Sequence, residues 1–364
     1  MSSPETSSGS LTEETAGMHR PARIDLAIMR WRARWALRHG YRPSVIAYTC
    51  YGSPRWVRVL CRVMLAKRGS VFRGDPSGSR GWRSFVNVPV ENAEVELVLD
   101  GVTHRVQADV SGIVDGVIDQ DLAPGRHEIV MSSGGSEPVT ADVFVVGDDQ
   151  KFGIVSDVDD TVMVTALPRP LLAAWHTFVV NEHARAATPG MPVLYERLSS
   201  AYDDPPVFYL STGAWNVAPA LTRFLSRNLY PAGPLLLTDW GPTKDRWFRS
   251  GREHKRSNLR RWASEFPQVR WLLVGDDGQH DPTLYGEFAD AHPDQVAAVC
   301  IRQLTPGEAV LAGSSLRESP SRASSRVRWL YASDGAGLAE QLEQAGLLPD
   351  FPRQAETQGP HIEG

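Results

Sequence analysis

The chain has 364 residues, 42% of them hydrophobic and 22% charged, with a formal net charge of -5. That length buries a sizeable core and accommodates two domains, and the composition predicts a soluble globular protein. The negative balance offers no general attraction for nucleic acid, and no run of about 18 apolar residues could span a bilayer, so any membrane role is expected to be peripheral.

Residues 1–20, "MSSPETSSGSLTEETAGMHR", are polar and acidic, without the basic start and apolar stretch of a signal peptide. They predict a disordered leader on a cytoplasmic protein, with peripheral contact at the inner membrane face as the membrane option. Cys50, Cys61 and Cys300 are widely spaced in apolar sequence. They fit neither a disulfide framework nor a zinc pattern, and buried thiols are expected.

Residues 21–70 read as a helical N-terminal segment, led by "ARIDLAIMRWRARWALRHG" from 22 to 40. At about 100° per residue, Ile24, Ile28, Trp31 and Trp35 share one face and Leu26, Met29 and Leu37 lie opposite, with Arg23, Arg30, Arg34 and Arg38 as a side stripe. Two apolar faces favour a helix packed between two surfaces. The alternative is a basic, Trp-bearing element that touches anionic membrane.

Residues 71–148 change texture to short alternating segments such as "SFVNVPV", "AEVELVL", "THRVQADV" and "TADVFVV". Asp100-Gly101 sits between two of them as a hairpin turn, and no helical run intervenes, so a small antiparallel β-sandwich is expected. His104 and His127 are isolated there and are read as surface or packing residues.

From 149 to 348 the pattern becomes α/β. "FGIVS", "VFYLS", "PLLLTD", "RWLLVG" and "AAVCIRQ" are near-continuous apolar runs separated by helix-like segments, the signature of a Rossmann-like parallel sheet buried on both faces. In such sheets ligands bind beyond the carboxyl ends of the strands, which makes the polar residues after each run the candidates. Those are Asp157, Asp159 and Thr161, then Ser211 and Thr212, then Asp276, Asp277 and Asp281. Lys255, expected to open a helix, is one of only four lysines against 34 arginines. Residues 349–364 read as a flexible tail.

Three aspartates within positions 157 to 160 repel one another unless a cation or hydrogen bonds compensate. Converging aspartates without a histidine or cysteine cluster suit a hard cation held by oxygens, Mg²⁺ above all. With the charge so compensated, Asp157 stays ionised as a nucleophile toward phosphorus, and Asp159 exchanges protons with the leaving oxygen and then with water. Ser211, with the backbone N–H groups of Thr212 and Gly213 after it, can hold phosphoryl oxygens, while Lys255 balances charge on the nucleophile and the phosphate.

The succession "DVDDT", a strand ending in serine, a lysine and "GDDGQHD" resembles the four motifs of the haloacid dehalogenase superfamily of phosphatases. More narrowly, "STGAWN", "EHKRSNLRRW", "FPQVRWLLVGDDGQHDPTLYGEFA" and "VCIRQL" are similar to the catalytic domain of the actin-patch type of phosphatidate phosphatase, over about residues 150 to 305. The resemblance implies Asp157 as nucleophile, Asp159 as acid/base, Ser211 as second-motif hydroxyl and Lys255 as third-motif lysine. It implies Mg²⁺ at Asp157 and Asp276, with Asp159 contributing its backbone carbonyl and Asp281 either binding the metal through water or orienting the loop. Asp277 departs from the serine expected in many relatives and leaves open whether it or Asp281 is the second ligand of that loop.

Asp160 is read as a loop or capping carboxylate, Thr161 as ordering the loop through hydrogen bonds, and Asp203-Asp204 as a turn. Trp215, Asn216, His254, His280, Tyr285 and Arg302 sit near the motifs, in either structural or functional roles. About 45 residues separate the first two motifs, too few for a large cap domain, so a small or absent cap is expected. An open site suits a bulky phosphate ester such as phosphatidate, hydrolysed to diacylglycerol and phosphate. The alternatives are a soluble phosphomonoester as substrate, or a non-catalytic binding scaffold that keeps the fold.

Overall fold

The computed structural model describes residues 20–67, 85–164, 186–238, 244–278, 280–305, 307–308 and 326–350. The chain divides into two compact units, Met1–Val145 and Val146–Gly364.

The first unit opens with helix α1 (Arg20–Arg38), which ends before Gly40, a residue at φ 82. Among the described residues nine strands follow: β1 (Tyr41–Ala47), β2 (Cys50–Ser53), β3 (Trp56–Lys67), β4 (Phe85–Pro89), β5 (Glu94–Leu99), β6 (Val102–Gln107), β7 (Ile113–Asp119), β8 (Gly125–Ser132) and β9 (Val139–Val145). Their main path runs β1-β3-β2-β9-β8-β5-β6, with β4 and β7 both paired to the long β3. All pairings are antiparallel except β2 with β9. The expected hairpin is present: Leu99 pairs with Val102, and Asp100 and Gly101 take φ 48 and 77, the doubly left-handed turn that suits strand twist.

Two expectations for this unit are corrected. Residues 41–67 are strands and not a continuation of the helical segment. In "WVRVLCRVMLAK" the β-branched Val57, Val59 and Val63 are buried while Arg58 and Arg62 are only partly so, a strand-like alternation that a helical reading passes over. Nor is α1 packed between two surfaces. Ala36 is buried with Leu65 and Val88, and Ala33 packs beside them, but Ile28, Trp31, Trp35 and Leu37 are exposed.

The second unit alternates strands and helices: β10 (Phe152–Asp157), α2 (Met191–Ala201), β11 (Val207–Ala214), α3 (Ala218–Arg227), β12 (Leu235–Thr238), α4 (Lys244–Glu265), β13 (Arg270–Asp276), α5 (Asp281–Ala291), β14 (Val296–Arg302), β15 (Trp329–Ala332) and α6 (Gly335–Gln344). The sheet order is β12-β11-β10-β13-β14-β15, and every neighbouring pair is parallel. Strand order therefore runs outward from β10 in one direction and from β13 in the other. Their junction is the topological switch point, where parallel sheets open a crevice beyond the strand ends.

Packing holds β10 and β13 close. A Cβ on Gly153 would lie 2.5 Å from the Trp271 ring, so glycine is what lets that indole lie against β10. Phe208, Trp262, Phe266 and Trp271 form one buried aromatic group between the sheet and α4. Strand β15 has no counterpart among the expected runs. Residues 165–185, where a cap was expected to be small or absent, lie outside the described residues.

Candidate active site

Asp157 is the last residue of β10 and Asp276 the last of β13, so the register of two adjacent parallel strands brings them to one end of the sheet. Asp281 opens α5 and turns back toward them. One carboxylate oxygen from each of Asp157, Asp276 and Asp281 lies within 4.8 Å of the others, and all three residues are buried. Gly275 makes room for this: a Cβ there would stand 2.6 Å from Asp281 Oδ2.

Lys255 reaches the same point from α4. Its Nζ donates to Asp157 Oδ1 and to Asp281 Oδ1, both at 2.6 Å, and its side chain is buried. The expectation that it opens a helix is corrected, since α4 begins at Lys244 and Lys255 lies within it. That placement stiffens the ammonium's approach, because backbone hydrogen bonds on both sides fix the residue that carries it.

The electrostatics are under tension. Burial pushes the Asp157 carboxyl well above the ordinary carboxylate range; Lys255 pulls it back, and Asp281 and Asp159 push it up further. Burial raises Asp276 likewise, reinforced by Asp281 and Asp157. Burial alone would lower Lys255, but the Asp157 and Asp281 carboxylates outweigh it and hold the ammonium above the usual lysine value. Lys255 thus offsets one of three negative charges. Asp157 Oδ2, Asp276 Oδ2 and Asp281 Oδ2 are buried with no hydrogen-bond partner among the described residues, a costly state for carboxylate oxygens. Oxygen donors clustered without partners are what a hard divalent cation requires.

Asp159 stands apart from this group. Its Oδ2 accepts from Ser211 Oγ at 2.9 Å, and Ser211 Oγ accepts in turn from the Gly213 N–H at 3.0 Å. The acid/base candidate and the hydroxyl candidate are therefore directly joined. Thr212 is half-buried and its carbonyl accepts from Thr238.

The two loop aspartates take different places in the structure. Asp277 Oδ1 accepts from the Leu304 N–H at 2.8 Å and its own N–H donates to the Arg302 carbonyl, so it fastens the loop to β14. Asp281 is the one in the carboxylate group. Asp160 is a loop residue at φ 58 whose N–H donates to the Met163 carbonyl. The Thr161 hydroxyl, expected to order this loop, is buried without a hydrogen-bond partner among the described residues, so its contribution is packing.

Among residues flagged by position alone, Tyr285 donates to the Val274 carbonyl and Trp215 is buried, both in structural settings. His280 is exposed at the start of α5. Arg302 is buried and donates to the Asp160 carbonyl at 2.7 Å and to Glu308 at 2.6 Å, bracing the loop that carries Asp159. Sequence reasoning missed Ser156 and Tyr195. Tyr195 Oη donates to Ser156 Oγ at 2.5 Å, and Ser156 Oγ donates to the Asp157 carbonyl at 2.7 Å, which fixes the backbone of Asp157.

A buried acidic centre with one lysine, at the switch point of a parallel sheet, defines the second unit as an α/β domain organised around a carboxylate site. Over residues 152–303 the sequence matches the family described as "Phosphatidate phosphatase APP1, catalytic domain". Phosphatidate phosphatase APP1 of Saccharomyces cerevisiae is 25% identical over 190 residues, covering 50% of this chain and 32% of that protein. An uncharacterized protein of Schizosaccharomyces pombe is 22% identical over 158 residues, covering 43% of this chain and 26% of its own length. The chain thus spans about a third or less of each curated relative. Among solved structures, a carbohydrate acetylesterase from Xanthomonas citri aligns over 75% of this chain and 73% of its own, at 11% identity and a TM-score of 0.26, too slight a likeness to bear on the fold.

Proposed function

We propose that this chain is a Mg²⁺-dependent phosphatidate phosphatase of haloacid dehalogenase type, releasing diacylglycerol and phosphate at the cytoplasmic side of a membrane surface. The observation that carries the reading is the group of three buried carboxylates with partnerless oxygens, bridged by Lys255, at the end of β10. The family match over residues 152–303 supports the reaction class and the choice of a lipid phosphate as substrate.

Asp157, Asp276 and Asp281 offer the carboxylate oxygens that would hold Mg²⁺, with the Asp159 backbone carbonyl as a further donor. Bound there, the cation would neutralise the cluster and draw charge from a phosphoryl oxygen. Asp157 attacks phosphorus in line, the bond to the leaving oxygen breaks, and an aspartyl-phosphate forms. Asp159 gives a proton to the departing diacylglycerol oxygen and then takes one from the water that cleaves the acyl-phosphate. The Ser211 hydroxyl and the N–H groups of Thr212 and Gly213 receive phosphoryl oxygens, while Lys255 steadies Asp157 and the arriving phosphate charge.

The test is phosphate release from phosphatidate in mixed micelles and from a panel of soluble phosphomonoesters, with and without Mg²⁺. Phosphatidate turnover that disappears in chelator and in a folded Asp157→Asn variant is the expected result. Turnover confined to a soluble ester moves the substrate to that class. Full activity of Asp157→Asn removes the mechanism, and inactivity of the native chain on every ester leaves a binding scaffold.

A further inference from the structure

We propose that the exposed face of α1 docks this protein on an anionic lipid surface. The helix is attached to the first unit through its small side: Ala36 is buried against Leu65 and Val88 with Ala33 beside it, and Arg30 forms a two-point ion pair with Glu91 at 2.6 and 2.9 Å. This attachment leaves the bulky side outward. Ile28 is 50% exposed, Trp31 66% and Trp35 46%, large values for two indoles. On a helix of about 100° per residue these three fall within roughly 60° of arc, with Arg32 along one edge and Arg38 and Arg34 along the other.

The charge pattern selects the occupant. Helix α1 carries six arginines and a single aspartate, although the chain as a whole is net negative. Arg32, Arg34 and Arg38 are exposed beside the indoles. Indole rings favour the boundary between headgroups and acyl chains, and guanidinium groups around them favour anionic headgroups. A second copy of this chain would bring the same arginines face to face and repel. A lipid surface satisfies the apolar patch and the charge together.

The biological sense of this docking rests on the reading of the substrate as a membrane lipid, since tethering raises the local concentration of an embedded phosphate ester. The docking itself is measured without turnover. Full-length protein is floated with phosphatidylcholine vesicles, with and without phosphatidylglycerol, an anionic lipid that bears no phosphomonoester for the catalytic site to capture. Binding is expected only with the anionic lipid, to fall at least tenfold in a Trp31→Ala, Trp35→Ala double variant, and to weaken with added salt. Arg32→Gln, Arg34→Gln, Arg38→Gln should abolish the preference for anionic vesicles.

These surface variants should retain the native melting temperature and native hydrolysis of a soluble phosphomonoester, while turnover of vesicle-embedded phosphatidate falls. Equal vesicle binding by native and Trp-substituted protein overturns the proposal, as does a native dimer that the Trp substitutions dissociate. Hydrolysis of phosphatidate in micelles without any vesicle binding removes the docking and leaves the catalytic reading standing. Vesicle binding without phosphatidate hydrolysis does the reverse.

Discussion

Lys255 carries two roles that a substitution would separate. Its ammonium offsets Asp157 and Asp281 inside a buried site, so removing it leaves two uncompensated carboxylates. Breaking a buried ion pair from one side costs about 3–5 kcal/mol, and Lys255→Met should therefore lower the melting temperature as well as the rate. Added Mg²⁺ should recover part of the stability, because a second cation relieves the same repulsion, but not the rate. Thermal denaturation and turnover measured side by side check this; a Lys255→Met protein as stable as the native one would dismiss the ion pairs as a source of stability. Asp159 is tested by leaving group. Asp159→Asn should cost far more rate on an alkyl phosphate than on an aryl phosphate whose departing oxygen needs no proton, and equal losses would dismiss it as the acid. Asp157, Asp159, Ser211 and Asp276 were legible in the sequence because each lies at or just after the end of an apolar run, so a strand end and its chemistry are written together, while Lys255 stood out by the scarcity of lysine and its place in the succession of motifs. Tyr195 was not, since it reaches the site from a helix, and a contact of that kind leaves no local pattern.

At the scale of elements, the site depends on how closely α5 approaches β13. Gly275 is where that approach is won: an added methyl would meet Asp281 Oδ2 at 2.6 Å and the Tyr285 ring at 2.7 Å. Gly275→Ala should move the start of α5 and separate Asp281 from Asp157 without touching any ionisable group. The expected outcome is a folded protein whose phosphatase rate falls by at least tenfold and whose Mg²⁺ requirement shifts to higher concentration, read by turnover against metal concentration. Unchanged kinetics would mean that Asp281 does not serve the centre. The five apolar runs of the second unit were readable because strands buried on both faces need continuous hydrophobicity. Strand β15 escaped because it is a four-residue edge strand, "WLYA", too short for a pattern. Strands β1 to β3 were obscured for another reason: α1 precedes them with strong helical periodicity, and only Gly40 and Pro43 mark the change.

For the whole molecule, the carboxylate group couples stability to both pH and metal. Burial and mutual repulsion raise Asp157 and Asp276 above ordinary carboxylates, so the metal-free folded chain holds protons that the unfolded chain releases. The stability contributed by those protons is fully present below the ordinary carboxylate range and is lost as pH rises from there through the raised values, so the metal-free protein should melt lower in mildly alkaline than in mildly acidic buffer, other groups aside. Mg²⁺ competes with the same protons, so its stabilisation should grow over the same interval, reaching about 2.7 kcal/mol where its concentration is about 100 times its Kd. Asp276→Asn separates repulsion from structure. Asp276 Oδ1 accepts from the Gly278 N–H, which an amide oxygen can also do, while its Oδ2 has no hydrogen-bond partner among the described residues. The variant should therefore melt higher than the native protein in chelator at alkaline pH, gain little from Mg²⁺, and be inactive. Calorimetry across pH, with and without the metal, reads all three quantities. A native protein whose melting point ignores Mg²⁺ at every pH, or an Asp276→Asn variant that still gains the full metal increment, would mean that these carboxylates are held by internal protons alone and that the centre is not a cation site.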